Sequence, residues 1–176
     1  MDDTMNRREL ENLLLTLEST TALLARAASS LRAGDERIRA RAGGFSLVEH
    51  VWHLADLEKE AYAVRVRRLL SEERPRLSNF DGDRVARERG YAARDLAEGL
   101  GVFALARRRN VERLRAVSAE EWSREGIQDG VGALRLSDVP RMMAEHDREH
   151  TAEIAALLAE ILKGTAAPPC PDSAVA

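Results

Sequence analysis

The chain has one cysteine, Cys170, so neither an intramolecular disulfide framework nor a cysteine-based zinc cluster is possible. Aromatic residues are scarce at 4%, only two lysines accompany an abundance of arginine, and no apolar run approaches the ~18 residues of a membrane span. Basic residues number 27 against 30 acidic ones and are interspersed with them, which argues against nucleic acid or an anionic membrane as partner. No segment alternates as a strand does, and the acidic N-terminus has no signal-like apolar stretch. The expectation is a soluble, cytoplasmic protein. The arginine excess points to a GC-rich genome and carries no functional information.

What is present is helical. Ala, Leu, Arg and Glu dominate the 176 residues, a length that suits one domain with one substantial core. Leu10, Leu13, Leu14, Leu17, Leu24, Ala27, Ala28 and Leu31 recur at three- and four-residue spacing and predict a helix from about Met5 to Arg32. "GGFS" (Gly43 to Ser46), with Glu49 completing a capping box, opens a second helix that runs to about Leu70. "SEERPRLSNFDGDRVARERG" then breaks the pattern for about twenty residues, enough for a crossover with one short helix around Asp83 to Arg89.

Leu96, Leu100, Phe103, Val111 and Leu114 mark a third helix from about Ala92 to Val117, and "SAEEWSREGIQDGVGALRLSD" reads as a glycine-containing loop. A fourth helix, capped by Ser137 and tolerating Pro140 in its first turn, continues to about Leu162. The predicted fold is all-α, a four-helix bundle over residues 5–163 with a long crossover between its second and third helices. Residues 164–176, with three prolines, are expected to be a disordered tail.

All four histidines lie in "HVWHLADLE" and "EHDREHTAEI". At 100° per residue, His146 and His150 sit about 40° apart on the face of Val139, Met142, Met143, Leu157 and Ile161, while Arg141, Asp147 and Arg148 point elsewhere. A lone histidine on an apolar face is usually a hydrogen-bonded core residue. Two at i, i+4, with a third on another helix, suit a metal, since neutral imidazole ligates Zn, Ni or Fe. His53 lies near the apolar edge of the second helix and His50 about 60° around; helix geometry does not choose between them. "HDREH" also fits the H-x-x-E-H pattern of inverted zinc proteases, but a bundle with only 26 residues after His150 leaves no room for that architecture.

"FSLVEHVWHLADLE" and "MMAEHDREHTAEI", with "FDGDRVARERGY" between them, resemble the DinB/YfiT-like superfamily of four-helix-bundle metalloproteins, over roughly Met5 to Leu162. The resemblance implies His53, His146 and His150 as ligands of one divalent metal ion (Zn, Ni, Fe or Mn), with His50 the alternate. It also implies a metal-dependent hydrolase, or an S-transferase or isomerase that uses a low-molecular-weight thiol, acting on a small-molecule substrate. Relatives often carry a histidine near Gln128, which this chain lacks.

Glu153, Glu49 and Asp56 are the candidates for orienting the ligands or moving protons, with Glu153 the first choice for an inward carboxylate about 20° from His146. Arg65, or an arginine of "ARRRN" (Ala106 to Asn110), is a candidate for an anionic substrate group, although "RVRRLL" and "RRRN" read more simply as solvated helix faces. Trp52 and Trp122 read as packing residues. A non-catalytic helical binding module, or a homodimer formed through an exposed helix face, is the rival expectation.

Overall fold

The computed structural model describes residues 6–40 and 44–164. Met5, Gly43, Cys170 and residues 165–176 of the expected disordered tail lie outside the described residues.

Four long helical stretches are present: α1 (Arg7–Ser29), the run of α2 (Leu47–Leu57) through a π-helical turn (Glu58–Tyr62) into α3 (Ala63–Ser71), α5 (Leu96–Arg115) and α6 (Val139–Leu162). The crossover carries β1 (Arg76–Leu77) and α4 (Gly82–Arg89). Local chemistry sets the helix starts. Asn6, Asp81 and Asp95 each accept a hydrogen bond from the amide three residues on, and Ser46 with Glu49 forms the anticipated capping box. Helix α5 therefore begins at Leu96, capped by Asp95, and not near Ala92, because Tyr91–Ala93 close a 3-10 turn ahead of it. Likewise α6 is led by Asp138, while Ser137 is buried in a preceding 3-10 turn.

The loop before α6 is a hairpin. Strands β2 (Glu125–Gln128) and β3 (Gly132–Arg135) pair antiparallel across Asp129-Gly130, and β1 joins β2 in parallel, giving the order β1-β2-β3. Gly130 has φ of 74°, the left-handed geometry that an Asp-Gly hairpin turn needs. Strands of two to four residues are too short to display alternation, which is why the sequence shows only a loop here. The sheet pins the crossover: Ile127 N–H donates to the Pro75 carbonyl at 2.8 Å and Asp129 N–H to Leu77 at 2.9 Å.

Two apolar clusters fill the bundle, one around Leu14, Leu17, Tyr62, Leu114 and Met143, the other around Leu24, Val51, Trp52, Phe103 and Ile154. Between them lies a buried polar layer. Arg107 donates to Asp147 (2.5 and 2.8 Å), to Glu58 (2.9 Å) and to the Leu17 carbonyl (2.9 Å). Thr20 donates to Asp147 at 2.7 Å, and Asn110 donates to the Glu58 side chain at 2.7 Å and to its carbonyl at 2.9 Å.

That layer corrects two expectations. Asp147 does not point to solvent, and within "RRRN" Arg107 and Asn110 are buried while Arg108 and Arg109 remain exposed. Each charge finds its partner on another helix, so a polar residue that a helical wheel assigns outward is accommodated inside. Burial pushes the Glu58 pKa up against the pull of Arg107.

Replacing Arg107 by alanine strands both carboxylates in the core, and the expected loss is about 3–5 kcal/mol in urea unfolding. A loss below about 1 kcal/mol, the worth of a surface pair, would show the layer to be dispensable.

Candidate metal centre

The four histidines meet where α2 faces α6, two from each helix. His53, His146 and His150 bring one ring nitrogen each within 4.8 Å of one another. Nε2 of His146 stands 3.4 Å from Nε2 of His53 and 3.2 Å from Nε2 of His150. Ligands about 2.0–2.1 Å from a tetrahedral ion are about 3.3–3.4 Å apart, so the donor set fits a first-row divalent metal. Three protein nitrogens leave coordination positions open, as catalytic sites do and closed structural sites do not.

Electrostatics keeps the donors available. Burial, reinforced by repulsion from neighbouring imidazoles, lowers the pKa of His50 and His53 to about 3 and that of His146 to about 4, and burial lowers His150 as well. Neutral imidazole is the form that binds metal. Nδ1 of His53 and Nδ1 of His146 are buried without a hydrogen-bond partner among the described residues.

The groups that touch the histidines are only partly the expected ones. Glu153 is 60% exposed and so lies at the rim and not inside, yet its carboxylate stands 3.2 Å from Nδ1 of His150. His50, the alternate ligand, is turned to the other side of His150, with Nδ1 to Nδ1 at 2.9 Å. Glu49 and Asp56 do not orient the histidines. Glu49 caps Ser46 and pairs with Arg39, whereas Asp56 accepts from Tyr91 at 2.7 Å and from Arg89 at 2.6 Å. Both carboxylates are buried, but capping geometry and cross-bundle partners claim them first.

The sequence pattern did not reveal the roof. Phe45 packs edge-on against His50 and tilted against His53, with ring centroids 5.6 and 5.4 Å away, and Phe80 of the crossover approaches His53 at 6.0 Å. Gly82, the first residue of α4, lies so close that a Cβ there would stand 2.3 Å from Cε1 and 2.7 Å from Nδ1 of His53. No periodicity flags a glycine that serves by what it lacks. Gln128 is buried on β2 and donates to Asn79 at 2.9 Å, tying hairpin to crossover. Trp52 donates to the Asp95 carbonyl at 2.9 Å and packs in the core, as Trp122 does.

Arg65 is 94% buried, being 6% exposed, with its guanidinium 5.6 Å from the Tyr62 ring centre and no ion pair or hydrogen bond to a described residue. It is near enough to His146 to lower the pKa of that imidazole. Its isolation sets it apart from Arg107.

The DinB superfamily model matches residues 16–154, a span that includes both histidine pairs, the crossover and the hairpin. The chain belongs to the DinB superfamily. Among solved structures, YfiT from Bacillus subtilis, described as a probable metal-dependent hydrolase with an unusual four-helix bundle topology, superposes with a TM-score of 0.82 at 20% identity, covering 93% of each chain. At that identity the likeness speaks for the fold. No curated protein matches this chain. No helix among the described residues is long and apolar enough to cross a membrane.

Two outcomes are expected for this DinB superfamily member. Gly82→Ala forces the His53 ring to move, so a chelator-competition titration should show weakened Zn²⁺ binding, by about 10–100-fold, with unchanged helical circular dichroism. Unaltered affinity would mean the roof does not fix His53. The metal-free protein should lose stability as pH falls below about 6.5. Unfolded imidazoles take a proton there, whereas His50 and His53 in the fold resist until about 3. The urea midpoint should therefore be lower at pH 5 than at pH 7.5, and His53→Leu should flatten that dependence.

Proposed function

We propose that this DinB superfamily member is a metal-dependent hydrolase of small molecules, with His53, His146 and His150 holding one divalent ion. The reading rests on one observation above the others: three neutral, converging imidazole nitrogens at ligand spacing, drawn from helices about a hundred residues apart in sequence. A divalent ion bound there supplies Lewis acidity to a substrate carbonyl and lowers the pKa of coordinated water toward neutrality.

The chain's own residues supply the rest. Glu153 accepts the Nδ1 proton of His150 and so fixes the tautomer that presents Nε2 to the ion. Phe45 and Phe80 cover the His53 side and keep it dry, which strengthens every electrostatic interaction inside. Arg65, an isolated buried cation, favours a substrate that carries a carboxylate or phosphate group beside the centre.

The test is turnover of a panel of esters, amides and phosphoesters by protein reconstituted with Zn²⁺, Ni²⁺, Fe²⁺ or Mn²⁺. Hydrolysis that falls to background on chelation and in His53→Ala is expected, with Arg65→Met raising KM most for anionic substrates. Turnover seen only when mycothiol or bacillithiol is supplied would replace hydrolysis with thiol transfer. Absence of metal binding after reconstitution would overturn the reading altogether.

A further inference from the structure

Beside the three-histidine cluster, a cavity of about 340 Å³ opens against the opposite edge of His150, lined by Phe45, His50, Asp83, His150, Glu153 and Leu157. Neither His53 nor His146 reaches this wall. The side chains facing it form a second donor group: Nδ1 of His50, Nδ1 of His150 and a Glu153 carboxylate oxygen, all within 4.8 Å of one another. The individual separations are 2.9 Å for the two histidines, 3.2 Å from Glu153 to His150 and 3.9 Å from Glu153 to His50.

We propose that His50, His150 and Glu153 form a second divalent-cation site at the mouth of this cavity, with the His150 imidazole shared between two ions, Nε2 to the inner and Nδ1 to the outer. The inference rests on the three-histidine reading for the inner ion and goes beyond it. Two histidines and one glutamate make up the donor set of many catalytic zinc and iron sites, in which the remaining positions face substrate. The outer group has that character more plainly than the inner, because the cavity adjoins it.

Geometry and charge agree. About 2.9 Å separates adjacent ligands of an octahedral ion with bonds near 2.05 Å and about 3.3 Å those of a tetrahedral one, so the two shorter separations fit. The longer one involves Glu153, whose 60% exposure leaves it free to swing inward. His50 is only 3% exposed and held by Phe45, so one ligand of each kind, rigid and adaptable, is in place. The proton balance is simple. His150 bound through Nε2 carries its proton on Nδ1; the outer ion takes that nitrogen and one proton passes to solvent. Glu153 and the His150 imidazolate, one negative charge each, offset the repulsion between the ions, and Asp83 on the same wall adds to the negative field.

The experiment is a Co²⁺ and Zn²⁺ titration of the full chain after chelator treatment, with bound metal per chain measured by elemental analysis and proton release by calorimetry in two buffers. Wild type is expected to reach two ions per chain. His50→Gln and Glu153→Gln should stop at one, and the second event should release a proton that is absent in both variants. Saturation of wild type at one ion, retained in His50→Gln and lost in His53→Ala, overturns the second site and leaves the hydrolase reading standing. A single ion lost in His50→Gln but retained in His53→Ala also overturns the shared arrangement, and overturns the three-histidine reading with it. Two ions retained in both His50→Gln and Glu153→Gln would place the outer ion elsewhere. Circular dichroism and urea midpoints of each variant separate a lost site from a lost fold.

Discussion

The Arg107 guanidinium, held by Asp147, Glu58 and the Leu17 carbonyl, is the contact on which the middle of the bundle depends. It joins α1, the π-helical turn, α5 and α6 at a single level, and no apolar side chain could satisfy the same groups. Two buried carboxylates around one cation tolerate only a narrow range of helix positions, because misalignment strands a charge in a poor solvent. The apolar clusters above and below contribute the bulk of the hydrophobic stabilisation, whereas this layer fixes rotation and height. Asp147 follows His146 directly and Glu58 lies five residues after His53, so fixing the ion pairs also fixes the histidines.

The π-helical turn belongs to the same constraint. It widens the helix over Glu58–Tyr62, and the Glu58 carbonyl accepts from both Ala63 and Asn110. One inserted residue changes the direction of everything after it, which is how α3 can bring Arg65 into the interior while α2 keeps His50 and His53 facing α6. The crossover completes the enclosure from outside. Its chain is tied to the β2–β3 hairpin by Ile127 and Asp129, and this anchoring places Phe80 and Gly82 against His53. A loop that would otherwise be free in solution thus becomes a wall of the candidate site.

Much of this arrangement is legible in the amino-acid sequence. The i, i+4 pair His146 and His150 shares a face with Val139 and Met143, so its inward direction followed from periodicity alone. The Ser46–Glu49 capping box announced its own helix, but only the structure, by pairing Glu49 with both Ser46 and Arg39, removed that carboxylate from the candidate proton carriers. Asp56 and Asp147 were less tractable, since their partners Arg89, Tyr91 and Arg107 lie between 33 and 40 residues away and nothing local marks the pairing. The hairpin was hidden by brevity, although Asp129-Gly130 carries its turn signal.

By itself the sequence determined the helical architecture, the four long helical stretches, the long crossover and the inward face shared by His146 and His150, because each is written in local spacing: apolar stripes, caps and breakers act over three to eight residues. Only the tertiary structure decided which charged residues are buried, which face of each imidazole meets its neighbours, and that Glu153 and His50 gather on the far side of His150. Those outcomes depend on the relative rotation of helices that are distant in the chain, a quantity set by packing and by the pairing of buried charges, to which no local pattern is sensitive.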